Sequence, residues 1–359
     1  MTQSVWSSCE VRAAGGARRF EAPLIELIQA QFAEQQLANC LDLHEQRVPE
    51  RLWNASLSGP LVELLSRPGK AFRSRLVEVA YAVGLEQAAP ARPMPAELPL
   101  LVELLHVGSL IVDDIEDDSA ERRGGPALHR VVGLPLALNA GNWLYFLPHS
   151  VIEGLGLAPG VELELRRAID RGVLRCHYGQ ALDLGARLGG LSQREVSDVV
   201  AASTRLKTGS LMELSAELGA IAARAPAQLC AELARFGRAY GVALQMLDDA
   251  SGLYDPRRRH KGHEDLQLGR PTWPWAWLAQ RLDELSYSRL QHRARAVERG
   301  EQPVEELASA LRRELGDAPY RAIHHQLWAA FERLEQQVAS RSSLDPLAQE
   351  IERLEQAYG

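Results

Sequence analysis

The chain has 359 residues, 46% hydrophobic and 24% charged, a composition that supports a folded globular protein and excludes a disordered one. Its 40 basic residues stand against 47 acidic ones, and the net charge of -7 argues against a general nucleic-acid binder. No apolar run approaches the roughly 18 residues of a membrane span, and the first twenty residues lack the apolar core of a signal peptide, so a cytoplasmic protein without stable membrane insertion is expected. Cys9, Cys40, Cys176 and Cys230 have neither the spacing of a zinc site nor that of a small disulfide framework, and read as reduced thiols.

Apolar residues recur at helical spacing along nearly the whole chain, while alternating β-branched runs bounded by turns are hard to find, so the expected fold class is all-α. Helices are expected over 22–45, 70–84, 97–118, 136–155, 160–186, 193–223, 226–255, 272–298, 303–314 and 318–339. The proline-rich piece 86–97 and the basic piece 254–272 read as loops inside one domain rather than linkers, and no repeat of solenoid length is present.

The site candidates follow in chain order. In "RPGKAFRSRL" (67–76), Pro68-Gly69 opens a helix whose first turn presents Lys70 and Arg73 at i, i+3, at the positive end of the helix dipole. Such pairs are also common on solvated surfaces. On the next helix His106, Leu110, Asp113 and Asp117 form one stripe, with Asp114 beside it and one turn from Asp117. Clustered acids at a helix C-terminus oppose its dipole, so bound positive charge is expected; three carboxylates converging without His or Cys suit Mg²⁺. A solvated acidic helix end is the plainer reading of such a cluster alone.

Arg122-Arg123-Gly124 follows the acids closely, where charge-assisted hydrogen bonds to a metal-bridged phosphate are available. In "RLKTGS" (205–210), Lys207 and Thr208 precede a mid-helix glycine that breaks regular bonding and turns the Thr208 carbonyl inward, although lone helix glycines commonly reflect packing. In "GVALQMLDDASG" (241–252), Gln245 lies one turn before Asp248 and Asp249. Two acidic helices are thus expected to clamp metal from opposite sides.

With "GKAFR" (69–73), "ELLHVGSLIVDDIEDDSAERRGGPALH" (103–129), "GQALDL" (179–184), "KTGSLMELSAELGA" (207–220) and "LQMLDD" (244–249) in this order, the chain resembles the trans-isoprenyl diphosphate synthases, or polyprenyl synthetases, over about residues 60–280. "DDIEDDS" and "GLPLALNAGNWLYFL" (133–147) are most similar to the geranylgeranyl diphosphate synthases. The resemblance implies one all-α isoprenoid synthase domain over 1–359, a helical bundle around a central cavity, usually a homodimer. It also implies a Mg²⁺-dependent enzyme that condenses isopentenyl diphosphate with an allylic prenyl diphosphate.

By position, the resemblance assigns Asp113, Asp114, Asp117, Asp248 and Asp249 to metal. It gives Arg122, Lys207 and Lys261 to the allylic diphosphate, and Lys70, Arg73, His106 and Arg123 to isopentenyl diphosphate. Gln245 and Thr208 match positions lining the reacting carbons, and Asp118 falls outside the motif. The chain departs from the family where a third acid is replaced by Gly252, an aromatic by Leu244 and a lysine by Arg270. The small Gly108 and Ser109, where the family's farnesyl synthases carry bulky aromatics, imply a product of twenty carbons or more. A class I terpene cyclase and a weakened binding or regulatory subunit are the alternatives. The first has no use for a second diphosphate site at Lys70, Arg73, His106 and Arg123.

Overall fold

The computed structural model describes residues 18–33, 36–37, 48–87, 93–338 and 340–358. The described residues are almost wholly helical, as the periodicity predicts, and they form two compact units: 1–75 with 94–158, and 76–93 with 159–359. None of their helices is long and apolar enough to cross a membrane. Cys9, Cys40 and much of the helix expected over 22–45 lie outside the described residues.

In the first unit, α1 (Arg18–Ala30) buries Phe20, Leu24 and Ile28 at intervals of four. The helical stretch that follows escaped the periodicity reading. It comprises α2 (Glu50–Trp53), a π-turn at Asn54–Ser58 and α3 (Gly59–Leu65), and the extra residue of the π-turn shifts the apolar face between its halves. Helix α4 (Phe72–Leu85) starts two residues later than expected. α5 (Leu98–Glu116) is buried on nearly every side.

A two-residue hairpin, β1 (Glu121–Arg122) and β2 (Gly125–Pro126), leads to α6 (Leu128–Val132) and α7 (Leu134–Gly154). Helices α5 and α7 touch backbone to backbone. A methyl group on Gly108 would lie 2.9 Å from the Gly141 oxygen, and one on Gly141 would lie 3.3 Å from the Gly108 oxygen.

The second unit contains α8 (Pro159–Gly185), α9 (Gln193–Thr204), α10 (Ser210–Ala222) and α11 (Ala227–Tyr254). A Ser192–Glu195 capping box starts α9, and a π-turn at Arg205–Gly209 joins α9 to α10 within the helical run expected over 193–223. The piece expected as a loop over 254–272 contains α12 (Arg259–Gln267), which buries only Leu266 and so carries no apolar stripe to read.

The helix expected over 272–298 is two, α13 (Trp273–Arg281) and α14 (Glu284–Glu298). Leu282 is extended and Asp283 caps the second, accepting from the Ser286 N–H at 2.9 Å. After α15 (Val304–Leu315) and α16 (Ala318–Glu335) comes an unexpected C-terminal helix, α17 (Asp345–Gln356). It buries Leu347, Ile351 and Leu354, and the Tyr240 hydroxyl of α11 donates to its Glu350 carbonyl at 3.2 Å.

Candidate active site

In the first unit Asp113 and Asp114 lie in the last turn of α5 and Asp117 is its C-cap. Asp114 is buried and faces the Arg122 guanidinium, whose Nε lies 2.9 and 3.0 Å from its two carboxylate oxygens and whose Nη2 also donates to it. Among the described residues no three His, Cys, Asp or Glu side chains gather as a cation cage, and Asp114 is turned into Arg122 instead. Asp118, as expected, stands apart: it is exposed and pairs with Arg130 at 2.6 Å.

The hairpin explains the "RRGG" string. Its two turn residues, Arg123 and Gly124, have φ of 52° and 77°, the left-handed pair that a tight hairpin demands. Glycine adopts this freely, but arginine does so at a cost that surrounding contacts must offset. Arg67 supplies such contacts: its Nη1 donates to the Arg122 and Pro126 carbonyls at 2.7 and 2.9 Å, while Glu63 holds its other edge. Gly125 is bare because a methyl there would meet the Arg67 guanidinium at 2.7 Å. The sequence reading overlooked Arg67, whose role depends on partners 55 and 59 residues away.

Lys70 is not in the first turn of a helix, contrary to expectation. Ala71 has φ of 52°, so the chain turns before α4 begins at Phe72, and only Arg73 sits within the first turn. Gly69, Ala71, Glu103 and Arg123 line a pocket with the apolar Leu24 and Val107. His106 is held well below its ordinary pKa by burial and then by the charges of Arg73, Arg123 and Arg122, so it serves this unit as a neutral imidazole.

In the second unit, Thr208 donates to Gln245 Oε1 at 2.9 Å and Gln245 Nε2 donates to Asp249 Oδ1 at 2.8 Å. The other Asp249 oxygen accepts the Trp273 N–H at 3.0 Å. With Asp249 accepting from Gln245 Nε2, the Gln245 amide has its oxygen toward Thr208. Asp249, assigned to metal from sequence, therefore has both oxygens engaged by protein donors and anchors the start of α13. The Trp273 indole donates to Thr204 at 3.0 Å.

The expected helix break at Lys207-Thr208 is the π-turn, and two bare glycines enclose it. A methyl on Gly179 would lie 2.6 Å from the Lys207 nitrogen, and one on Gly241 would lie 2.6 Å from the Thr208 oxygen. The Lys207 ammonium sits 3.0 Å from Asp183, the acid of "GQALDL". Asp248 bonds Lys261 and Arg258, and Arg270 lies 3.7 Å from Asp265.

The donor set suits a hard divalent ion, since the acids of α5 and α11 offer only oxygen. The two buried or largely buried carboxylates already draw cations, Arg122 onto Asp114 and Lys261 with Arg258 onto Asp248. Burial pushes the Asp249 carboxyl up to about 7, against the lowering effect of its Trp273 and Gln245 donors. The folded protein therefore binds a proton there that the unfolded chain has lost, between the ordinary 3.8 and about 7. Stability associated with Asp249 is full below that window and is lost as pH rises through it. Urea unfolding of Asp249→Asn should show this part of the pH dependence flattened between about pH 4 and pH 7; an unchanged slope would contradict the assignment.

Residues 54–311 match the model of the polyprenyl synthetase family. Among curated relatives, a geranylgeranyl pyrophosphate synthase of Eremothecium gossypii is 32% identical over 239 residues, covering 62% of this chain and 70% of the relative. One from Penicillium crustosum is 30% identical over 251 residues, covering 68% and 69%. The fold is similar to that of a solved heptaprenyl diphosphate synthase from Staphylococcus aureus, with a TM-score of 0.73 at 17% identity over 98% of this chain and 100% of that one. A solved geranylgeranyl pyrophosphate synthase gives 0.74 at 17% identity over 94% and 98%. The acids, hairpin arginines and π-turn described above all fall within the matched span, and the chain belongs to the polyprenyl synthetase family of prenyl-transferring enzymes.

Proposed function

We propose that this trans-prenyltransferase condenses isopentenyl diphosphate with allylic diphosphates to make geranylgeranyl diphosphate. The observation that carries the reading is the Arg122–Asp114 pair at a hairpin strained at Arg123, which holds the Arg122 guanidinium on the acidic end of α5. In this proposal Asp113, Asp114 and Asp117 are the magnesium-binding carboxylates of the first unit, and Asp248 is that of the second. Asp249 acts on Gln245 rather than on metal. Arg122, Lys207 and Lys261 are assigned to the allylic diphosphate, and Lys70, Arg73, Arg123 and the neutral His106 to isopentenyl diphosphate.

Bound magnesium would neutralise charge on the leaving diphosphate and so promote C–O cleavage. The chain's cations act on the same oxygens through charge-assisted hydrogen bonds. Gln245 Oε1, oriented by Thr208 and Asp249, presents a fixed dipole to the positive charge that develops on the allylic carbon. The double bond of isopentenyl diphosphate then attacks, and the proton lost from the adduct passes to the released diphosphate.

Product length is assigned to Ser109, half-buried one turn before Asp113. Gly108 is small for another reason, the close approach of α7, so only one of the two positions remains as a passage for the growing chain. Incubation with Mg²⁺, isopentenyl diphosphate and each of the C5, C10 and C15 allylic diphosphates should yield a C20 product. Ser109→Phe should shift it toward C15. Hydrocarbon release from a single allylic substrate would instead identify a cyclase.

The homodimer reading is supported by α8, where Leu174, Tyr178 and Leu182 form an exposed stripe at intervals of four, 58%, 62% and 37% exposed. Contiguous apolar surface of this kind marks a partner face. Light scattering should report twice the chain mass, and Leu174→Glu with Tyr178→Glu should return a monomer.

A further inference from the structure

Gly252, at the position where a third acid is missing, packs against α12. A methyl on Gly252 would lie 3.2 Å from the Gly262 α-carbon, and one on Gly262 would run into the Gly252 carbonyl. The crossing closes the space a carboxylate at 252 would need. It also brings the start of α12 alongside Asp248. Arg258, the N-cap of that helix, has Nη1 3.0 Å from Asp248 Oδ1 and bonds the Ser251 hydroxyl.

The guanidinium also stacks on an aromatic ring from the chain's far end. Its central carbon lies 4.6 Å from the centroid of Tyr358, which follows α17. That helix is itself tied to α11, the helix bearing Asp248, through Tyr240. The Tyr358 phenol is pushed up to about 12 by burial and then by the charge of Asp248, so it stays neutral as a stacking platform. The Arg258 side chain remains 32% exposed, and a guanidinium carries five N–H donors in a rigid fork matched to phosphate oxygens.

We propose that Arg258 is an additional diphosphate-binding residue of this enzyme, positioned by Tyr358, and that it delivers from the chain itself the positive charge that the missing third carboxylate cannot recruit. The proposal rests on the function above. With Asp248 engaged by a metal ion, the Arg258 fork would be released from that carboxylate to the diphosphate oxygens, and the Tyr358 ring would keep it within reach. Lys261, the other cation on Asp248, is already assigned to this ligand, so the second acidic site of this chain carries two protein cations for its single metal-binding acid.

The test is calorimetric titration of inorganic pyrophosphate into the full chain at fixed Mg²⁺. Arg258→Gln should weaken pyrophosphate binding by roughly tenfold to a hundredfold, and Arg258→Lys should recover part of the loss. Tyr358→Ala should weaken it several-fold, whereas Tyr358→Phe, which keeps the ring and loses only the hydroxyl's hydrogen bond to Arg258, should fall between Tyr358→Ala and wild type. The KM for the allylic substrate should rise with the same ranking while that for isopentenyl diphosphate stays constant. Thermal unfolding of each variant certifies that it is folded.

Wild-type pyrophosphate affinity in Arg258→Gln, or tighter binding, would overturn the proposal and leave Arg258 as a counter-ion of Asp248 only. Tyr358→Ala indistinguishable from wild type would remove the positioning role. Absence of pyrophosphate binding by the wild-type protein would overturn the function itself, a different failure.

Discussion

Asparagine at Asp114 is expected to cut turnover by about a thousandfold or more, with a much smaller effect on folding. Two losses coincide in this variant. On the proposed function a carboxylate assigned to magnesium becomes a neutral amide, and a preorganised electrostatic group of this kind is worth on the order of 10²–10³ in rate by itself. The Arg122 fork also loses the acid that holds it, with contacts at 2.9 and 3.0 Å from Nε, so its aim at the allylic diphosphate is relaxed. The stability cost should be about 1–3 kcal/mol, because Asp114 is buried but Arg122 keeps access to water.

Turnover measured beside urea unfolding separates the two effects. In thermal unfolding, wild type should be stabilised by Mg²⁺ with pyrophosphate, since a ligand bound only by the folded state raises stability by linkage. Asp114→Asn should lose most of that rise. A variant retaining a tenth of wild-type turnover would place Asp114 outside the metal site.

The second large effect is expected from adding one methyl group at Gly179. That methyl would sit 2.6 Å from the Lys207 nitrogen and 2.9 Å from the Leu206 carbonyl carbon, both backbone atoms that no rotamer change can move aside. Either α8 shifts or the π-turn does, and overpacking of this sort costs about 1–3 kcal/mol. Function should suffer more than stability. The π-turn sets Lys207 on Asp183 and Thr208 on Gln245, and a displacement of about 1 Å in such groups costs about a hundredfold in rate. Gly160→Ala is the control on the same helix, with nothing within 4 Å of the added carbon, and should leave both quantities near wild type. Equal behaviour of the two variants would mean that the π-turn is not constrained by Gly179.

What was legible from residues alone follows from local periodicity and charge. The helical class, the acidic end of α5 and the Gln245-to-Asp249 turn of α11 depend on spacings of three, four or seven along one helix, which sequence displays directly. The π-turn was visible as a glycine after Lys207-Thr208, although its second cause, the bare faces of Gly179 and Gly241 pressed on its two sides, required knowing which helices are neighbours. Helix α12 was hidden because a helix that buries only Leu266 has no stripe, and α17 because its docking partner lies more than a hundred residues away.

Tertiary structure alone decided the uses of particular side chains. Gly108 packs against the backbone of Gly141, and the Asp249 oxygens accept from Gln245 and Trp273, neighbours that no spacing along the chain displays. Arg67 and Arg258 carry no motif signal, and each acquires its role from a partner distant in the chain, the hairpin carbonyls for Arg67 and the Tyr358 ring for Arg258. The division has a physical basis. Helical propensity and charge clustering are properties of neighbours along the chain and survive in one dimension, whereas hydrogen-bond satisfaction and steric contact depend on which segments meet in three.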